Sequence, residues 1–170
     1  MKKTLLTSLL AATTLVSAYA QAELSANVAV TSNYLWRGMT QTDDSPAIQA
    51  GLDYADASGF YAGTWVSNVD FGGDEDFELD LYGGYTGTAG DWGYDVGYIY
   101  FAYPGAESDF SEIYASFSKG DLSLGVAVLA TAESADFGDS IYLSADYGFD
   151  AIEGFDTAVH VGSYSGDFSS

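Results

Sequence analysis

An all-β fold, and within that class an antiparallel transmembrane outer-membrane β-barrel, is what three features of this chain predict. Apolar and aromatic residues recur at every second position through nearly the whole sequence, and Gly, Asp or Ser clusters interrupt them at intervals, a pattern of consecutive strands with no helix-period stripe. Most runs are about eight to thirteen residues long, longer than the usual globular strand and close to what a tilted strand needs to cross a bilayer. The connections alternate between short and long, as in barrels with turns on one side of the membrane and loops on the other.

In chain order, Met1-Lys2-Lys3, the apolar stretch Leu5 to Val16 and the small-residue site Ala18-Tyr19-Ala20 form the three parts of a secretory signal peptide. Residues 1–20 are therefore expected to be cleaved, leaving residues 21–170 as a barrel domain in the outer membrane. The segment is too short and too interrupted by Thr and Ser for a transmembrane helix, and no later stretch approaches eighteen consecutive apolar residues.

Nine strands are then expected, at about 24–36, 47–54, 59–69, 77–87, 91–103, 110–118, 122–130, 140–148 and 155–163. The second places Ile48, Ala50, Leu52 and Tyr54 on one face and Gln49, Gly51 and Asp53 on the other. The fourth sets Phe77, Leu79 and Leu81 against Glu78, Asp80 and Tyr82, and the fifth sets Trp92, Tyr94, Val96, Tyr98 and Tyr100 against Gly93, Asp95 and Gly97. A soluble sandwich would use the apolar parity as its core. Tyr and Trp near strand ends fit membrane-interface girdles better than a dry interior.

The short connections are Ala55 to Ser58, Thr88 to Gly90, Lys119-Gly120-Asp121 and Phe149 to Gly154; the long ones are Arg37 to Pro46, Asp70 to Asp76, Pro104 to Asp109 and Thr131 to Asp139. A sandwich has no reason to alternate them in this way. The long class is also acidic, with Asp43 and Asp44, then Asp70, Asp74, Glu75 and Asp76, then Glu107 and Asp109, then Glu133, Asp136 and Asp139. This arrangement assigns the long loops to the cell exterior and the short turns to the periplasm.

With the signal peptide removed, Arg37 and Lys119 are the remaining fixed positive charges against 25 acids, a balance of −23. That excludes nucleic acid as a partner. With no cysteine, a disulfide framework, a zinc–thiolate site and a thiol nucleophile are excluded as well. The 48% hydrophobic content, with 14 Tyr and 10 Phe, argues for an ordered chain despite its charge.

Ser32-Asn33-Tyr34-Leu35-Trp36-Arg37-Gly38, Pro46-Ala47-Ile48-Gln49, the block Gly59-Phe60-Tyr61-Ala62-Gly63-Thr64-Trp65-Val66-Ser67-Asn68-Val69-Asp70-Phe71 and Glu78-Leu79-Asp80-Leu81-Tyr82-Gly83-Gly84-Tyr85 resemble the TorF family of proteobacterial porins. The resemblance spans residues 24 to about 103 well and the rest loosely. It implies a Gram-negative outer-membrane barrel and names no transport substrate. Family members run some tens of residues longer, whereas this chain stops at Asp167-Phe168-Ser169-Ser170, and bacterial single-chain barrels have even strand numbers. The expectation is a barrel of ten or twelve strands whose last one to three are missing here.

The lumen-facing parity carries Asp53, Glu78, Asp80, Asp95, Glu112, Asp146 and Asp156, with Arg37 the one fixed cation placed to join them. In a dry interior each unpaired carboxylate would cost several kcal/mol or take up a proton. Water and mobile cations are the expected compensators, giving a hydrated, cation-preferring pore, unless missing strands supply Lys or Arg. Arg37 either narrows the mouth with Asp53 or Glu78, or clamps the first outer loop to the wall by charge-assisted hydrogen bonds. Gly72-Gly73-Asp74-Glu75-Asp76 lacks EF-hand spacing; Asp74, Glu75 and Asp76 are weak divalent-metal candidates, able to share ions with lipopolysaccharide, and are otherwise a solvated acidic loop.

No catalytic set assembles. Asp156 and His160 share a strand face but are roughly 13 Å apart at about 3.3 Å per residue, and no Gly-x-Ser-x-Gly turn accompanies the single histidine. The sequence reading is therefore a porin, not an enzyme and without a cofactor, that passes small hydrophilic solutes or cations and has outer-membrane lipid and lipopolysaccharide as its surroundings. Its rivals are a non-conducting surface or adhesion barrel binding a partner through acidic outer loops, a membrane-barrel hydrolase and a periplasmic sandwich.

Overall fold

The computed structural model describes residues 22–152 and 155–166. Residues 1–21, where a signal peptide is expected, and residues 153–154 and 167–170 lie outside the described residues.

The strands are β1 Glu23–Thr31, β2 Leu35–Trp36, β3 Met39–Thr40, β4 Ala47–Ala55, β5 Phe60–Asn68, β6 Phe77–Ala89, β7 Trp92–Ala102, β8 Phe110–Lys119, β9 Leu122–Ala132, β10 Ser140–Ile152 and β11 Phe155–Gly166. Nine of them form one sheet in the order β1-β4-β5-β6-β7-β8-β9-β10-β11, each antiparallel to its neighbour, and β2 and β3 pair separately. The expected nine-stranded antiparallel meander is present. It is not a closed barrel: β1 and β11 are its two edges, and each leaves a row of backbone groups without a strand partner among the described residues.

The chain reverses within two residues at one end of the sheet, between β6 and β7 and between β8 and β9. At the second of these, Gly120 takes φ 58°, a conformation that glycine adopts without steric cost and that tight hairpins require at this position. All the long connections sit at the opposite end, as the alternation predicts.

One expected strand is divided. Alternation predicts that the first runs to Trp36, but β1 stops at Thr31, and β2 and β3 form a tight hairpin with Arg37 and Gly38 at φ 50° and 85°. Positive φ at both central residues is the twist-matched two-residue turn. Tertiary contacts override strand propensity here, because the hairpin carries Tyr34, Trp36 and Arg37 across the sheet instead of along it. Trp36 lies 5.9 Å from the Phe101 ring and 6.1 Å from the Phe110 ring, beside a small core of Val69, Phe101, Tyr103, Phe110 and Leu129.

Elsewhere burial is inverted relative to a soluble domain. The apolar parity faces out, with Val28 78%, Ile48 66% and Val161 64% exposed, whereas Glu78, Asp80 and Glu112 on the other parity are buried. Register fixes this, since a one-residue slip would exchange the two faces.

Candidate functional site

The polar face of the sheet and the hairpin laid over its loop end form the site. Arg37 reaches across to β8, where Nη1 and Nη2 donate to the two carboxylate oxygens of Glu112 at 2.7 and 2.6 Å. Its guanidinium carbon also lies 4.1 Å from the Trp36 ring centre, 4.3 Å from that of Tyr142 on β10 and 5.5 Å from that of Tyr164 on β11. A single side chain therefore ties the first loop to three strands on the far half of the sheet. A non-glycine residue with positive φ is costly, and the paired, stacked guanidinium is what holds it there. The expected partners Asp53 and Glu78 are engaged elsewhere, by Tyr82 and Asn27 and by Tyr34 and Tyr103.

Glu78 accepts from Tyr34 Oη at 2.8 Å and from Tyr103 Oη at 2.5 Å. Burial, followed by the nearby Glu78 charge, pushes both phenols above their usual range, so both remain protonated donors. Asp53 accepts from Tyr82 Oη and, at 3.4 Å, from Asn27 Nδ2. Asp95 accepts from Tyr61 Oη at 2.6 Å, and that hydroxyl is 2.5 Å from Tyr114 Oη. Asp146 Oδ1 lies 2.6 Å from His160 Nδ1, and Nε2 lies 2.8 Å from Tyr142 Oη. This chain runs from β10 to β11 and back, ending under the Arg37 guanidinium.

The structure thus supplies compensation that the charge count does not reveal. Five of the seven carboxylates named from parity are held by phenols, an imidazole or the guanidinium. Asp156, exposed on β11, has no hydrogen bond among the described residues. Asp80 is 6% exposed, and its Oδ1 has no partner among the described residues. The tyrosines were the overlooked part. They sit on the same parity as the acids, and Tyr82 and Tyr61 stand opposite Gly63 and Gly84. A Cβ at Gly63 would come 2.5 Å from the Tyr82 ring, so the missing side chain lets the ring lie along the wall and its hydroxyl reach Asp53.

At the loop end of the sheet, the long loops surround a cavity of about 810 Å³. Trp36, Phe71, Tyr103 and Tyr164 are among its lining residues, together with six carboxylates and no Lys, Arg or His. Phe71 meets Tyr103 edge-on at 5.7 Å. Of the weak metal candidates, Glu75 accepts from Ser108 Oγ at 2.9 Å. Asp74 and Asp76 are exposed, and no three potential ligands converge on a metal position among the described residues.

The family model described as bacterial protein of unknown function (Gcw_chp) matches residues 16–170. The chain belongs to this family. No curated protein and no solved structure matches it. The family description assigns no activity, so function has to be argued from the geometry.

Proposed function

We propose that this chain forms the wall of an outer-membrane β-barrel that lets small hydrophilic solutes through and prefers cations. One observation carries the reading: along the meander the exposed parity is apolar, including Val28, Val30, Ile48, Leu52, Leu81, Val96, Ile113, Leu124, Leu143, Val159 and Val161, while acids, tyrosines and glycines occupy the other face. An apolar band this continuous is stable against lipid tails and is a liability in water. The signal-peptide pattern, the turn-and-loop alternation and the resemblance to TorF porins support the same location. A bilayer tolerates no free sheet edge, so the reading requires β1 and β11 to be paired in the membrane, with each other or with further strands.

Cation preference follows from the acidic mouth and wall, whose one fixed counter-charge, Arg37, is committed to Glu112. The test is planar-bilayer conductance of the full chain with a reversal potential under a KCl gradient. Potassium should be favoured over chloride, the preference should shrink as salt screens the charges, and Asp53→Asn/Asp95→Asn should reduce it more than Asp43→Asn/Asp44→Asn. Anion selectivity would overturn the reading. A second reading, a non-conducting barrel that binds a partner at its surface, is favoured by the hairpin laid across the mouth; a folded chain without conductance would promote it.

A further inference from the structure

The mouth cavity combines two kinds of wall that are seldom needed together for an inorganic ion. Potassium or sodium is satisfied by oxygen ligands and water and gains little from aromatic faces. This cavity brings Trp36, Phe71 and Tyr164 together with carboxylates, and those of Asp43, Glu107 and Glu133 accept no hydrogen bond from the described residues. Its volume of about 810 Å³ lies within the range of small-molecule pockets. Aromatic faces with nearby carboxylates and no competing base suit a weakly hydrated organic cation, whose apolar surface packs on rings while its charge meets the acids.

The molecule itself shows this chemistry at the floor of the mouth. The Arg37 guanidinium, an organic cation carried on the chain, is gripped by Glu112 and stacked on Trp36 and Tyr142. Trp36 and Tyr164, which approach that guanidinium, also line the cavity above it. We propose that the mouth is a binding site for small organic cations bearing an alkylammonium or guanidinium group. The binding claim stands on the cavity alone; that such cations are then the preferred solutes rests on the channel reading.

The two are separated by measuring binding without a membrane potential. Full-length protein refolded in detergent is titrated calorimetrically with tetramethylammonium chloride and with methylguanidinium chloride, against sodium chloride at the same ionic strength. Saturable binding is expected for both organic cations and none for sodium. Phe71→Leu, which keeps apolar bulk and loses the ring, should weaken binding about threefold. Glu107→Gln/Glu133→Gln should weaken it about three- to tenfold, and Phe137→Leu, an exposed side chain outside the cavity lining, should leave it unchanged. Absence of saturable heat beyond that of sodium chloride overturns the proposal, as does binding insensitive to both Phe71→Leu and the double glutamine variant. Binding without conductance keeps the site and removes the channel; conductance without binding does the reverse.

Discussion

Breaking the Arg37–Glu112 pair should be among the most damaging single changes on the polar face. The two side chains are 11% and 4% exposed and share two hydrogen bonds of 2.7 and 2.6 Å. Removing one partner of such a pair strands the other charge, which costs about 3–5 kcal/mol, a large part of the ~5–15 kcal/mol that separates a folded domain from its unfolded chain. Glu112→Gln should show this loss in full. Arg37→Met should lose a similar amount, including about 0.5–2 kcal/mol of stacking on Trp36 and Tyr142. Relief of the left-handed backbone returns part of it only in Arg37→Asn, because asparagine accepts φ 50° more readily than methionine. Arg37→Lys should not rescue, because an ammonium can neither bond both oxygens in one plane nor stack flat on a ring. With both charges gone, Arg37→Met/Glu112→Gln should lose less than the sum of the two singles, leaving a coupling of at least about 2 kcal/mol. Urea unfolding of the refolded protein in detergent, followed by tryptophan fluorescence, measures all five variants. Singles that each cost under about 1 kcal/mol and add within about 0.5 kcal/mol would refute a buried clamp and return Arg37 to a solvated side chain at the mouth.

Three further outcomes are expected. Asp80→Asn, which removes a buried carboxyl whose Oδ1 has no partner among the described residues, should leave the urea midpoint unchanged or raise it, whereas Glu78→Gln, which weakens the acceptor for Tyr34 and Tyr103, should lower it; a large loss in Asp80→Asn would mean that the carboxylate is compensated. In the proposed orientation, whole cells carrying Ser108→Cys should react with an impermeant thiol reagent and cells carrying Gly120→Cys should not, and the opposite pattern would invert the topology. In the turn after β4, hydrogen bonds from the Ser58 hydroxyl and then its backbone N–H hold the Asp56 carboxyl below its usual range. That contribution is complete above the unfolded aspartate value of about 4 and is lost as pH falls through the lower folded one, so an NMR titration should place Asp56 low and Ser58→Ala should move it up.

The parts of this protein legible in its sequence are those set by local periodicity. Alternation in runs such as Ile48 to Tyr54 and Phe77 to Tyr82 determines strands and their faces, because successive side chains on a strand must point to opposite sides. Turn chemistry at Lys119-Gly120-Asp121 determines a reversal, because few residues adopt its backbone. The parity of Asp53, Glu78, Asp95, Glu112 and Asp146 determines that they share one face. Tertiary structure alone decided their partners. Arg37 is 75 residues from Glu112 in sequence, and the contact exists because β1 ends at Thr31 and the Arg37-Gly38 turn folds Leu35 to Thr40 into a separate hairpin over the sheet, where alternation alone predicts one unbroken strand to Trp36. The pairing of Tyr61 with Asp95 depends in the same way on the register of neighbouring strands and on a glycine opposite the ring. Periodicity determines which side of the sheet a residue faces; which residues meet on the polar face is fixed by strand register and by the path of the hairpin over it, and these arise only when the whole sheet has formed.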